Sequence, residues 1–337
     1  VDLLFPFADS WWLYAGFTGL VLGLLAVDLG VFHRRAHVVS FRESVAWSIV
    51  WVTIALAVCV GLGFYAGGRF GSETGREVAL EFLAGYIVEK SLAVDNIFVF
   101  VLVFRYFAVP LAYQHRVLFY GILGALLFRA LFIAIGAALL RFEVVMTLFG
   151  GFLLLTGARM LWSPEPHVEP DKNLMVRLLR RLLPITPTFE GARFLVRHGG
   201  RLHATPLLVA LVFLEVSDVV FAVDSVPAIF ALTREPLIVF TSNVCAILGL
   251  RAMYFLLAGA IERFHLIGYG LACVLIFVGL KMVWLNGAFD GHFPIGWSLT
   301  IITVLIGGSV AASLALPPRP APKAEEENAP DLRRKAG

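Results

Sequence analysis

The sequence predicts an all-α polytopic membrane protein with about nine transmembrane helices, and three observations predict it. Apolar residues make up 59% of the 337 residues and charged residues 15%, with a mean hydropathy of +0.86. A soluble domain sits near about 45–50% apolar and 25% charged. Nine apolar runs are each long enough to cross about 30 Å of hydrocarbon, where free backbone groups find no water and only helices satisfy them all. Finally, Lys and Arg are divided very unevenly among the connections between those runs.

In chain order the runs are Trp11–Phe32, Val45–Ala66, Val78–Phe104, Ala112–Ala138, Val144–Trp162, Ala204–Leu232, Leu237–Ala260, Leu266–Leu285 and Ile295–Leu316. The first is long and follows the acids Asp2 and Asp9, so it reads as a span and not as a secretory signal with a basic start. Asp28 lies about a turn from its inner end, and Glu81 stands at the outer mouth of the third run. With the N-terminus outside, the inner connections, the run ends beside them and the tail carry nineteen Lys and Arg, against four outside: Arg69, Arg76, Arg141 and Arg234. Lys and Arg collect in cytoplasmic loops. The predicted orientation is therefore N-out and C-in.

The one long inner connection is the basic loop 163–203. It opens on Pro164, Pro166 and Pro170 and continues into Leu174–Leu183, where Arg177, Arg180 and Arg181 stand among leucines. That segment reads either as a helix lying on the inner leaflet or as a basic anchor. Residues 317–337 have the composition of a disordered cytoplasmic tail, which leaves 1–316 as the transmembrane domain. Cys59, Cys245 and Cys273 fall in apolar runs with no CxxC spacing, as small buried hydrophobes do. The basic residues are scattered over loops, so nucleic acid is not an expected partner. The bilayer is.

Two runs break the apolar pattern from within. One is Glu89-Lys-Ser-Leu-Ala-Val-Asp-Asn96; the other is Asp218-Val-Val-Phe-Ala-Val-Asp-Ser225, preceded by Glu215. In each, an acid stands six residues before the Asp of an Ala-Val-Asp core, and an amide or hydroxyl follows. Each half then has an arginine in its next span, Arg129-Ala130 and Arg251-Ala252. The first unit begins with the third span and the second with the sixth, and a shift of three spans reverses direction. The sequence thus predicts two inverted three-helix repeats, about residues 78–162 and 204–285, a transporter plan whose polar sites meet near the midplane.

An ionised acid at a helix centre costs about 2.5–3.5 kcal/mol on insertion scales. Unpaired, Glu89, Asp95, Glu215, Asp218 and Asp224 would cost on the order of 12–17 kcal/mol. Lys90, Arg129 and Arg251 also lie inside spans and leave a surplus of two negative charges, which one divalent cation would neutralise. The competing reading is that these groups are helix-to-helix ion pairs, with Lys90 free to snorkel outward. Asn96, Ser217, Ser225 and Asn243 add neutral oxygens or serve as ordinary interhelical hydrogen bonds. Six residues on a regular helix separate two side chains by about 120°, so a local break is needed to aim both acids of a run at one point. Pro227 offers one, freeing the carbonyl of Val223.

A donor set of oxygens alone, without a Cys, His or Met pair, points to Mn²⁺, Mg²⁺ or Ca²⁺ and away from zinc and copper. His115 falls at the inner end of the fourth run, and His198 and His203 fall on the long inner loop. No metalloprotease, Walker or Gly-x-Ser-x-Gly element is present. The expectation is a transporter and not an enzyme, with the metal as cargo and no bound cofactor.

Four stretches together, Leu25-Ala-Val-Asp-Leu-Gly-Val-Phe-His33, Glu89 to Asn96, Ala204-Thr-Pro206 and Glu215 to Ala228, resemble the TerC/Alx family of integral membrane proteins. The resemblance runs from about residue 11 to residue 316. That family is named for tellurium resistance, is placed in the lysine-exporter superfamily and is associated with Mn²⁺ export. The resemblance implies a cation pathway built from Glu89, Asp95, Glu215, Asp218 and Asp224. Two other functions stay open at this point: a tellurium-resistance protein acting indirectly, and a membrane scaffold that holds soluble or secreted partners through the basic loop.

Overall fold

The computed structural model describes residues 3–27, 40–139, 142–162, 183–198, 200–258, 264, 266–289 and 293–316, apart from the side chains of Asp95, Glu143 and Asp224. Asp28, the 174–182 part of the arginine-leucine segment and the tail from 317 lie outside the described residues.

Helix α1 is Phe7–Val27, with a kink at Ser10, and α2 is Phe41–Phe70. The start of α2 is set by Ser40, whose hydroxyl accepts from the Glu43 amide, in a Ser-x-x-Glu sequence suited to capping. Its end is set by Gly71 at φ 104°, which also opens α3, Ser72–Tyr106. The two helices touch backbone to backbone: a Cβ on Gly75 would lie 2.5 Å from the Gly63 carbonyl oxygen. Small residues permit such close approach between apolar helices. Helix α4 is Leu111–Leu139 and α5 is Glu143–Trp162.

The long connection after α5 carries a β-hairpin, β1 Leu195–His198 and β2 Arg201–Ala204, a local departure from the all-α expectation. Its strands pair His198 with Arg201, so Gly199-Gly200 stands alone between them. That dipeptide is a two-residue hairpin signal. Ala204 ends the strand, the Thr205 hydroxyl donates to the Arg193 carbonyl at 2.7 Å, and Pro206 opens α6, Pro206–Phe230. Proline is suited to a first helical position because its missing N–H has no partner to lose there. The span expected from Ala204 therefore starts two residues later.

Helix α7 is Pro236–Leu248 and α8 is Leu250–Leu257, bent by 41° about Gly249. Helix α9, Ile267–Leu280, continues through a π-helical turn, Lys281–Leu285, and a last turn, Asn286–Ala288; α10 is Ile295–Ala315. Among the described residues seven helices are long and apolar enough to cross a membrane, or eight with the bent α7–α8 pair as one span. Helix α3 is set apart from these by its charges, which include Glu73, Arg76, Glu77, Glu81, Glu89, Lys90 and Asp95. At 35 residues it is about 52 Å long.

Helix α3 is nonetheless central. It packs against α2, α6, α7 and α10, while α4 packs against α6 and α7, and α5 against α9. Ala84, Val88 and Leu92 of α3 share one buried apolar cluster with Val226 to Leu232 and with Leu271 to Met282. A second cluster below joins Ile97 to Phe104 of α3 with Leu207 to Leu214 of α6 and with Leu250 and Tyr254. Between the two lies the polar layer.

Candidate metal pathway

Arg129 on α4 anchors that layer. Its side chain is 1% exposed, and its Nη1 lies 2.8 Å from each carboxylate oxygen of Glu89 on α3. The same nitrogen donates to the Ser225 hydroxyl on α6, and Nη2 lies 3.7 Å from Asp218 Oδ1, also on α6. The Asn96 amide donates to Asp218 Oδ1 at 3.2 Å, and Asn243 on α7 donates to Glu89 Oε2 at 3.2 Å. Four helices thus meet on one guanidinium and two carboxylates.

The spacing explains why. Glu89 and Asn96 are seven residues apart on α3, as are Asp218 and Ser225 on α6. Seven residues make almost two full turns, so each pair lies on one helix face about 10 Å apart. The two faces cross in reverse: Asn96 of the first meets the acid of the second, and Ser225 of the second meets the acid of the first. Arginine suits the centre because its planar fork can serve two carboxylates at once.

Hydrogen bonding does not use up the oxygens here. Asp218 Oδ2, Asn96 Oδ1, Asn243 Oδ1 and Glu215 Oε2 are buried with no hydrogen-bond partner among the described residues. A buried polar atom left so costs about 1–3 kcal/mol, and an oxygen cluster of this kind is what a hard cation would satisfy. Glu215 enters from a turn before Asp218 and rests against Gly124, where a Cβ would stand 2.1 Å from its oxygens. A cavity of about 10 Å³ beside Asp218 is lined by Gly121, Ile122, Leu250 and Arg251. Among the described residues no three His, Cys, Asp or Glu side chains converge into a closed metal cage.

The other expected residues are placed as follows. Asp95 and Asp224 sit on α3 and α6 next to Asn96 and Ser225, with side chains outside the described residues. Ser217 bonds back to the Phe213 carbonyl of its own helix at 2.8 Å and does not reach the layer. Lys90 does not snorkel: its Nζ donates to the Ala246 carbonyl at 2.9 Å beside the Gly249 bend. Helix α6 runs unbroken past Pro227 to Phe230, so the chain bends at Gly249 instead. Lys281, in the π turn of α9, is a fourth cation inside a span that the charge pattern overlooks. Only its burial, at 3% exposure, gives it away.

Helices in this number, with acids and counter-charges gathered in their interior, define a polytopic integral membrane protein. The profile of the integral membrane protein TerC family matches residues 74–320, which takes in α3 to α10. The chain belongs to that family. It is 49% identical over 311 residues to an uncharacterized membrane protein of Myxococcus xanthus, covering 92% of this chain and 94% of the relative. It is 47% identical over 292 residues to Alx of Escherichia coli K12, designated a membrane-bound redox modulator, covering 86% and 90% respectively. A membrane protein of Rickettsia felis is 39% identical over 301 residues, covering 88% of this chain and 95% of the relative. No solved structure matches.

Proposed function

We propose that the protein exports divalent cations, Mn²⁺ foremost, across the bacterial cytoplasmic membrane, through a midplane site that two inverted repeats share. The carrying observation is the crossed pairing of Glu89 and Asn96 with Asp218 and Ser225 about Arg129. A twofold axis in the membrane plane would exchange α3 with α6, α4 with the α7–α8 pair, and α5 with α9. Two helix pairings support that reading: α3 on α7 would correspond to α6 on α4, and α3 on α9 to α6 on α5. On this reading α3 is a ninth span, made tolerable by burying its acids, and α7–α8 is one broken span. The nineteen-to-four division of Lys and Arg supports the N-out, C-in orientation.

The cargo reading rests on donor chemistry and kinship. Oxygens alone favour Mn²⁺, Mg²⁺ or Ca²⁺, and the family resemblance favours Mn²⁺. Arg129 stands between Glu89 and Asp218 as the positive charge next to both. Glu215, Asp95 and Asp224 complete the acidic path. Nothing in this chemistry needs a catalytic residue or a bound cofactor. The redox designation belongs to the Alx relatives; in this chain Cys59, Cys245 and Cys273 are free thiols.

The test is charge removal at constant volume. Asp95→Asn and Asp224→Asn should leave membrane abundance near wild type while abolishing most Mn²⁺ resistance in a sensitised strain. Full resistance in both variants would overturn the export reading and favour a scaffold.

A further inference from the structure

Two cavities stand one above the other inside the bundle. The upper one, about 10 Å³ beside Asp218, has Phe100 of α3, Leu118 of α4 and Leu250 of α8 in its walls. The lower one, about 530 Å³, is walled by Phe104 and Arg105 of α3, Gln114 of α4 and Tyr254 of α8, with Ala108 and Val109 from the turn between α3 and α4. On all three helices the step from the upper cavity to the lower is four residues: Phe100 to Phe104, Leu118 to Gln114 and Leu250 to Tyr254. Four residues are about 6 Å along a helix, so the cavities share one axis and a single turn of side chains parts them. In the N-out orientation the lower cavity lies at the cytoplasmic end.

The parting turn is packed and bolted. Phe100, Leu118, Leu214 and Leu250 belong to one buried apolar cluster with Phe104 and Tyr254. The Tyr254 hydroxyl donates to Gln114 Oε1 at 2.8 Å, and Gln114 Nε2 donates to the Val109 carbonyl at 3.1 Å. Phe104 sets its ring across that of Tyr254, with centroids 5.6 Å apart. The upper cavity has about the least room that one water needs, so a hydrated ion does not reach Asp218 from the cytoplasmic end while this turn is in place. Apolar constrictions of this kind close pathways by excluding water.

The two sides of the bolt are held differently. On the α3–α4 side the turn is tied twice, since the Val109 amide donates to the Phe104 carbonyl at 2.9 Å while its own carbonyl holds Gln114. On the other side α8 has eight residues and leaves α7 at a 41° bend about Gly249. Lys90, the neighbour of Glu89, donates to the Ala246 carbonyl at that bend. Helix α8 carries Arg251 at the upper cavity and Tyr254 at the lower, so one pivot shifts both walls.

We propose that α8 is the inner gate of the cation path: Tyr254, Gln114 and Phe104 shut the cytoplasmic vestibule off from Asp218, and a pivot of α8 at Gly249 admits a hydrated divalent cation. What passes rests on the export reading; the closure does not. Arg105 is the one charged side chain in the vestibule wall among the described residues, so the vestibule passes cations without holding them.

The test is thiol accessibility in membrane vesicles without metal, which reads the gate and not transport. Ala125, buried in the wall of the upper cavity, supplies the reporter as Ala125→Cys, with Cys59, Cys245 and Cys273 replaced by alanine. A charged methanethiosulfonate is applied from either side, and thermal unfolding checks that each variant folds. With the bolt intact, labelling from the cytoplasmic side should be slow. Tyr254→Phe keeps the ring and removes the hydroxyl, and should speed that labelling about fivefold, as the loss of one buried hydrogen bond implies. Gln114→Leu should do the same, and the double variant should be no faster than the faster single, because both break one bond. Labelling from outside should not change. Fast labelling with the bolt intact, a rate that both single variants leave unchanged, or an equal rise from both sides would overturn the gate. For the pivot, a nitroxide pair on Leu127 of α4 and Leu257 of α8 should gain a second, longer distance in Tyr254→Phe; one unchanged distance would overturn it. Failure of the export reading shows separately, as Mn²⁺ uptake that Asp218→Asn leaves intact, and moves none of these rates.

Discussion

Arg129→Gln tests whether the midplane layer is a balanced cluster. Arg129 is 1% exposed and touches Glu89 at 2.8 Å, Ser225, and Asp218 at 3.7 Å. Glutamine keeps one amide donor but removes the only charge those carboxylates are shown to share. Removing one partner of a buried ion pair costs about 3–5 kcal/mol, because the other charge is stranded. At two to four degrees per kcal/mol for a large domain, the melting temperature should fall by about 10 °C. Adding Glu89→Gln removes one stranded charge, and most of that loss should return, as coupling within one network requires. Mn²⁺ at a hundred times Kd stabilises the protein that binds it by about 2.7 kcal/mol, and at one Mn²⁺ concentration Arg129→Gln should gain more than wild type. The assay is thermal unfolding in nanodiscs, with and without Mn²⁺. A single variant that melts with wild type, or a double variant no better than the single, would refute the cluster.

Two further predictions are more local. Gly124→Ala puts a Cβ 2.1 Å from the Glu215 oxygens, so it should expel that carboxylate and lower Mn²⁺ affinity while leaving the Arg129 cluster folded. Affinity equal to wild type would remove Glu215 from the path. For orientation, a cysteine replacing exposed Arg197 on the hairpin should be shielded from impermeant thiol reagents in intact cells, and one beside Asp290 should be labelled. The reverse pattern would invert the topology and with it the direction of export.

The apolar runs were legible because a bilayer asks for length and composition alone, and helix ends such as Ser40 to Glu43 and Thr205-Pro206 carry their own local signals. The paired motifs were legible too, each with an acid and a polar residue seven positions on, Glu89 with Asn96 and Asp218 with Ser225. What sequence could not supply is azimuth across the bundle. That Arg129 would face Glu89 forty residues earlier and Ser225 ninety-six later is settled by how α3, α4 and α6 rotate together. Asn243 was visible as an intramembrane amide, but not as the second donor to Glu89. Lys281 sits near the end of its run, where a lysine ordinarily reaches the interface; the π turn turns it inward instead. Pro227 misled because it lies three residues before the end of α6, where the helix tolerates its missing donor. The hairpin was written in Arg197-His-Gly-Gly-Arg-Leu202, a turn signal obscured by the basic charge around it.

Export of a divalent cation against an inside-negative potential costs about 2.3 kcal/mol per charge per 100 mV, so the claim of an exporter stands or falls on coupled, uphill movement. Protons compete with metal for carboxylate oxygens, and they are the coupling ion proposed here. The most direct measurement uses the purified protein in liposomes with a Mn²⁺-sensitive dye inside. An acidic interior should drive Mn²⁺ in against its gradient, an ionophore that collapses the proton gradient should stop it, and Asp218→Asn should abolish it. Accumulation that follows a sodium gradient would contradict proton coupling, and no accumulation under either gradient would contradict the exporter itself.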